Sequence, residues 1–190
     1  MENNHGILHR DIGEIILSEE QIALRIKELA AEIAEDYKDK EFLLVGVLNG
    51  AVVFYIALMM ELDLPLEMNL IRVSSYGAGT TSTGNIRMVY DLEADITGKH
   101  VLIIGDIIDS GNTLKMLKRL MQDRGAADVK ACCLLDKKER REVDIEADYV
   151  GFDVPDKFLV GYGLDYAGKY RNLKYVGTLK PEVYSQEGML

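Results

Sequence analysis

The chain is poor in residues that staple or bridge a fold. Its only two cysteines, Cys132 and Cys133, are neighbours. Adjacent residues in a strand point to opposite faces, so the pair reads as two small buried hydrophobes rather than a disulfide. The three histidines, His5, His9 and His100, have no ligand-like spacing, which disfavours a zinc site. No apolar run approaches the roughly 20 residues that span a bilayer. The opening MENNHGILHR lacks the basic start and apolar stretch of a secretory signal, so a cytoplasmic protein without a membrane partner is expected. Positive charge is also short: 22 Lys and Arg stand against 32 Asp and Glu, a formal net charge of −10. Broad binding to nucleic-acid phosphates needs a basic face, so no nucleic-acid partner is expected. An anionic small molecule stays open, because a bound Mg²⁺ can reverse the local field. An acidic surface equally serves solubility.

What is present is enough for one sizeable core: 190 residues, 48% of them hydrophobic. Ser18, followed by Glu-Glu-Gln, forms a capping-box signature, and Ile22, Ile26, Leu29, Ala30 and Ile33 recur at helical spacing after it. Residues 42–48 (FLLVGVL) read as a strand buried on both faces. Asn49-Gly50 breaks that run, and residues 51–62 (AVVFYIALMMEL) have the length of a buried helix. Further strands are expected at 65–74, 86–90, 101–105 and 129–135, and shorter ones at 149–152, 158–163 and 175–179. Between them, residues 113–124 place Leu114, Leu117, Leu120 and Met121 on one helix face. Residues 74–85 (SSYGAGTTSTGN) are small, polar and glycine-bearing; a mobile loop or a plain connector fits. There is no repeat and no linker. Strands alternating with helices predict an α/β fold with a mostly parallel sheet covered on both sides.

One segment carries chemistry. In residues 101–114 (VLIIGDIIDSGNTL) a strand runs into acids, hydroxyls and a glycine just before a helix. Ligands of open parallel sheets bind beyond the carboxyl ends of strands. Backbone N–H groups of a turn entering a helix cradle anions there. Ser110, Gly111 and Thr113 suit a phosphate, whereas Asp106 and Asp109 repel it. The acids make sense if the phosphate belongs to a sugar whose hydroxyls, or a metal, need carboxylates. An ordinary strand–turn–helix, with Asp109 or Ser110 as N-cap, would look the same locally. Neither the P-loop nor the dinucleotide glycine pattern is present.

The segment resembles the signature by which type I phosphoribosyltransferases bind 5-phosphoribosyl-1-pyrophosphate (PRPP). The chain is similar in particular to the hypoxanthine (hypoxanthine-guanine) branch of that family, over nearly its whole length. Leu48-Asn49-Gly50 resembles the pyrophosphate loop, Ser74-Ser75-Tyr76-Gly77 the mobile catalytic loop, and residues 134–137 the strand whose lysine meets the purine. Residues 154–173 (VPDKFLVGYGLDYAGKYRNL) resemble the purine-specificity segment. The resemblance implies a single domain, residues 1–190, with a parallel sheet flanked by helices and a small hood made from the N-terminal residues and roughly residues 150–190. It implies transfer of a phosphoribosyl group from PRPP to a 6-oxopurine with Mg²⁺ as cofactor, giving IMP, or GMP or XMP, and pyrophosphate. It also implies a homodimer or homotetramer. A nucleotide-sensing regulator on the same fold, with weak or no catalysis, is the alternative.

The same resemblance assigns roles. Asp109, Ser110, Gly111, Asn112 and Thr113 would hold the 5′-phosphate, and Asp109 would serve as base or acid at purine N7. Asp106 would meet the ribose hydroxyls and share in metal binding, while Gly50 and Arg171 would meet pyrophosphate. Lys137 would donate to the purine O6, with Lys138 the rival if the register slips by one. Phe158 would stack on the base, although a core aromatic fits that position too. Leu159 would offer backbone contacts, and Lys157 would lie near base and ribose. Asp165 would hold Mg²⁺ near the base, and Ser75 and Tyr76 would close over the reaction. Two positions depart from the family pattern. Gly105 stands where a glutamate usually meets a ribose hydroxyl, and Asn49 where a lysine is common. The first departure predicts weaker PRPP binding.

Overall fold

The computed structural model describes residues 7–75 and 86–185. After a 3₁₀ turn (Ile7–Asp11) the chain forms β1 (Ile12–Leu17) and then α1 (Glu19–Tyr37). The capping box at Ser18 is present: the Gln21 N–H donates to the Ser18 hydroxyl, and the Ser18 N–H donates to the Gln21 side chain. There follow β2 (Phe42–Leu48), α2 (Val52–Glu61), β3 (Glu67–Ser75), β4 (Ile86–Tyr90), β5 (His100–Ile108) and α3 (Asn112–Asp123). The described residues continue through β6 (Asp128–Asp136), β7 (Tyr149–Asp153), β8 (Leu159–Val160), β9 (Val176–Leu179) and α4 (Pro181–Ser185).

Six strands form the main sheet in the order β4-β3-β2-β5-β6-β7, parallel except for β4 against β3. Both faces of its centre are buried, as the continuous apolar runs predict. Leu102 and Ile104 of β5 pack with Ile22, Ile26 and Leu29 of α1 and Phe54 and Leu58 of α2. Val101 and Ile103 pack on the other face with Leu114, Leu117 and Met121 of α3. Each such side chain contributes about 1.5–3 kcal/mol on burial. Cys132 and Cys133 lie in these two opposite layers, both free. Burial pushes the Cys133 thiol up to about 12.

A smaller antiparallel sheet, β1-β9-β8, joins the start of the chain to its end over a separate cluster of Ile12, Val160, Tyr170, Leu173 and Leu179. Strand β1 escapes a reading by periodicity because its pairing slips twice and three consecutive residues, Gly13 to Ile15, are exposed. The expected strand at 158–163 shortens to two residues because Gly161, Tyr162 and Gly163 all take positive φ. Among the described residues no helix is long and apolar enough to cross a membrane.

Candidate active site

The carboxyl ends of β2, β5 and β6 open on one edge of the main sheet. The turn after β5 walls a pocket there, lined by Asp106, Asp109, Ser110, Gly111 and Thr113 over a floor of Leu114 and Leu117. Gly111 makes the turn possible: at φ 87° it occupies left-handed space, and a β-carbon would lie 2.5 Å from Ile145 and 3.0 Å from Arg141. The Ser110 hydroxyl accepts from the Asn112 N–H at 3.4 Å and from its side-chain amide at 3.2 Å. That amide also donates to Glu142 at 2.9 Å. The N-cap residue Gly111 has no side chain to cap α3, so beyond Asn112, whose N–H meets Ser110, the first-turn amides suit an anion cradle.

The segment after β6 braces this turn. The Glu142 N–H donates to the Ser110 carbonyl at 3.0 Å, and Arg141 donates to the Asp109 carbonyl at 2.6 Å. Arg141 also pairs with Asp136, a carboxylate only 2% exposed. Removing one partner of so buried a pair costs about 3–5 kcal/mol.

A second cluster forms around Asp106. Its carboxylate accepts the Ile107 N–H at 2.9 Å. A β-carbon on Gly50 would overlap the other oxygen, so only glycine lets the turn after β2 approach. Gly163, at φ 102°, repeats this one layer out, where a β-carbon would overlap the Gly50 carbonyl. Burial pushes the Asp106 carboxyl above its ordinary value; Arg171 pulls it down and Asp165 pushes it further up. Asp165 and Arg171 meet each other at 2.6 Å, and Arg171 donates to the Gly163 carbonyl at 2.6 Å. Thus Gly50, Asp106, Asp165 and Arg171, spread along the sequence, converge on one place. The peptide between Leu48 and Asn49, entering this cluster, is cis.

Lys137 follows β6 directly. Its N–H donates to the Ile108 carbonyl at 2.9 Å, which carries the β5–β6 pairing to the rim, and the residue is 8% exposed. Its ammonium lies 3.8 Å from Asp156. Lys138 instead reaches outward to Asp153 at 2.8 Å, and both of those side chains are exposed. Phe158 is 45% exposed; Tyr166 meets it edge-on at 5.5 Å and Tyr184 stacks on it at 5.8 Å. Leu159 is buried in β8 opposite Thr178. Lys157 turns toward Glu14 of β1, at 2.7 Å. Ser75 closes β3, but its side chain, together with Tyr76, Gly77, Gly79 and Gly84, lies outside the described residues.

Reading the sequence missed Arg140, Arg141, Asp136, Asp156 and Tyr184. Within the run DKKERRE the charges look alike, and only the fold distinguishes those facing the turn from those facing solvent. Gly105 lines the same pocket, and a β-carbon there would lie 2.9 Å from the Cys133 sulfur.

Comparison with known proteins agrees with this geometry. The pattern described as "Phosphoribosyl transferase domain" matches residues 13–167. The chain therefore belongs to the phosphoribosyltransferase family. Within it, the hypoxanthine-guanine phosphoribosyltransferase of Bacillus subtilis is 49% identical over 94% of this chain and 99% of its own. The "Bifunctional protein TilS/HprT" of Listeria monocytogenes is 50% identical over 94% of this chain, which spans only 28% of that longer protein. A crystal structure of a hypoxanthine phosphoribosyltransferase from Staphylococcus aureus superimposes with TM-score 0.92 at 46% identity, over 95% of this chain and 98% of that one. A mutant of the hypoxanthine phosphoribosyltransferase from Trypanosoma cruzi, complexed with the product IMP, gives TM-score 0.89 at 40% identity, over 95% and 96%. The chain is a member of the hypoxanthine-guanine branch.

Proposed function

We propose that this chain joins a 6-oxopurine to PRPP, forming a nucleoside monophosphate and releasing pyrophosphate. The observation that carries the reading is convergence: the turn after β5, the half-buried Asp106 and the buried Lys137 share one sheet edge. In the reaction the C1′–pyrophosphate bond breaks, the purine N9–C1′ bond forms, and one purine proton is lost. The turn at 109–113 holds the 5′-phosphate with backbone amides and the hydroxyls of Ser110 and Thr113. Asp106 faces the sugar hydroxyls. The carboxylate of Asp109, exposed at the rim, trades the proton at N7. Lys137 donates to O6, which selects a 6-oxo base, because a 6-amino group offers it no acceptor of that kind. Phe158 supplies an exposed ring face for stacking, with Leu159 beside it. Arg171 and the amides near Gly50 meet pyrophosphate, and Ser75 and Tyr76 exclude water from the reacting sugar.

Phosphoribosyltransferases generally use Mg²⁺ with PRPP. Among the described residues no three His, Cys, Asp or Glu side chains cluster as a cage. Mg²⁺ needs none: one or two carboxylates suffice when waters and substrate oxygens complete the shell. Asp106 and Asp165 fit, since burial disfavours the Asp106 anion and Asp165 adds to that field. When bound, the ion would neutralise charge on the departing pyrophosphate.

The reading extends to the whole molecule. The sheet β1-β9-β8 and the loop carrying Asp165 would form the hood over the base. Ile56 and Met60 of α2 and Met68 of β3, each at least half exposed, would serve a homodimer or homotetramer contact. The protein would work in the cytoplasm. The test is incubation with PRPP, Mg²⁺ and each of hypoxanthine, guanine, xanthine and adenine. Nucleotide is expected from hypoxanthine and not from adenine. Nucleotide binding without turnover would instead identify a sensor.

A further inference from the structure

Asp109 and Lys137 stand at the ends of neighbouring strands, and two charged residues without a role so far connect them. The Arg140 Nε is 2.9 Å from Asp109 Oδ1. A terminal nitrogen of the same guanidinium is 3.5 Å from Asp156 Oδ1. That same Asp156 oxygen is 3.8 Å from the Lys137 ammonium. The result is a chain of alternating charge, Asp109–Arg140–Asp156–Lys137, that starts at the pocket-lining Asp109 and ends at the close of β6.

An isolated exposed ion pair would be worth little. This chain differs at its inner end. Lys137 is 8% exposed, and among the described residues Asp156 is the one carboxylate within 4 Å of its ammonium. A nearly buried cation needs that partner to stay oriented. At the outer end, Arg140 Nε anchors Asp109 at Oδ1, and the Asp109 side chain is 49% exposed and so open to a substrate. A guanidinium can bridge two carboxylates in this way because its donors form a rigid planar fork.

We propose that Arg140 and Asp156 are positioning residues: together they aim the Asp109 carboxylate and the Lys137 ammonium at neighbouring atoms of one purine, N7 and O6. The inference rests on the transfer reaction proposed above. It makes base recognition at N7 and at O6 a single coupled event rather than two independent contacts.

The test is steady-state kinetics of Arg140→Gln, Asp156→Asn and the double variant, with Arg140→Lys as the conservative control and the melting temperature confirming the fold. Each single change is expected to lower kcat/KM for hypoxanthine by about tenfold, with KM for PRPP altered less than about twofold. Asp156→Asn is expected to narrow the preference for hypoxanthine over adenine, which a general loss of structure would not do. The double variant is expected to be no worse than about twofold below the poorer single, the mark of groups acting as a unit. Arg140→Lys is expected to recover part of the loss. Additive losses, or singles within about twofold of native with unchanged base preference, overturn the proposal. A native protein that forms no nucleotide overturns the transferase reading, and this inference falls with it. Native activity with additive variants overturns this inference alone.

Discussion

Gly105 of β5 runs beside Cys133 of β6, and the 2.9 Å that would separate a new β-carbon from the Cys133 sulfur couples the two positions. The absent carboxylate cannot simply be added back. Gly105→Glu alone is expected to destabilise the protein by about 1–3 kcal/mol through overpacking. Combined with Cys133→Ala it should fold normally and bind PRPP about tenfold more tightly, as one regained charge-assisted hydrogen bond predicts. Titration calorimetry with PRPP checks this, and equal affinity would show that Gly105 is neutral. Asp106 gives a second expectation at this scale. Its folded-state carboxyl lies above the ordinary value, so its contribution to stability is present in acid and is lost as pH rises through the shifted value. In chelator, Asp106→Asn is therefore expected to melt above the native protein near about pH 8, with the gap closing toward about pH 4. Its kcat/KM should fall, because the ribose loses its carboxylate.

Among elements, the turn between β5 and α3 depends on a neighbour that follows β6. The Gly111 β-carbon site is walled by Ile145, Arg141 and Val143, and the φ of 87° already disfavours any other residue. Gly111→Ala is expected to cost about 1–3 kcal/mol, about 2–4 °C of melting temperature for each, and to weaken PRPP binding with it. Thermal denaturation with and without PRPP separates the two effects. Elements whose signal is local were legible in the sequence. The Ser18 capping box, the apolar periodicity of α3 and the two-faced burial of β5 each follow from residues within a few positions. The turn between β5 and α3 was legible for the same reason. Elements defined by distant partners were not. Strand β1 exists because β9, near the other end of the chain, pairs with it. Lys157 pairs with Glu14 of β1, a partner far along the chain to which no local signal points. Arg140 and Asp156 acquire meaning only once β5, β6 and the loop after β7 are side by side.

For the whole molecule, the main sheet supplies an edge carrying the turn between β5 and α3, and the smaller sheet holds Leu159 in β8 with Phe158 immediately before it. The net charge of −10 is compatible with the proposed anionic substrate, because the proposed site includes Lys137 and Arg171 as local cations. This arrangement accounts for a reaction in which positioning and electrostatics do most of the catalysis. It also requires both halves of the site at once. The most direct measurement is the stoichiometry of products when purified protein meets PRPP, Mg²⁺ and hypoxanthine. Base transfer to the sugar predicts one pyrophosphate released for each IMP formed, with both lost together in Asp109→Asn and strongly reduced in Lys137→Met. Pyrophosphate release without IMP, or nucleotide bound with neither product formed, would contradict it.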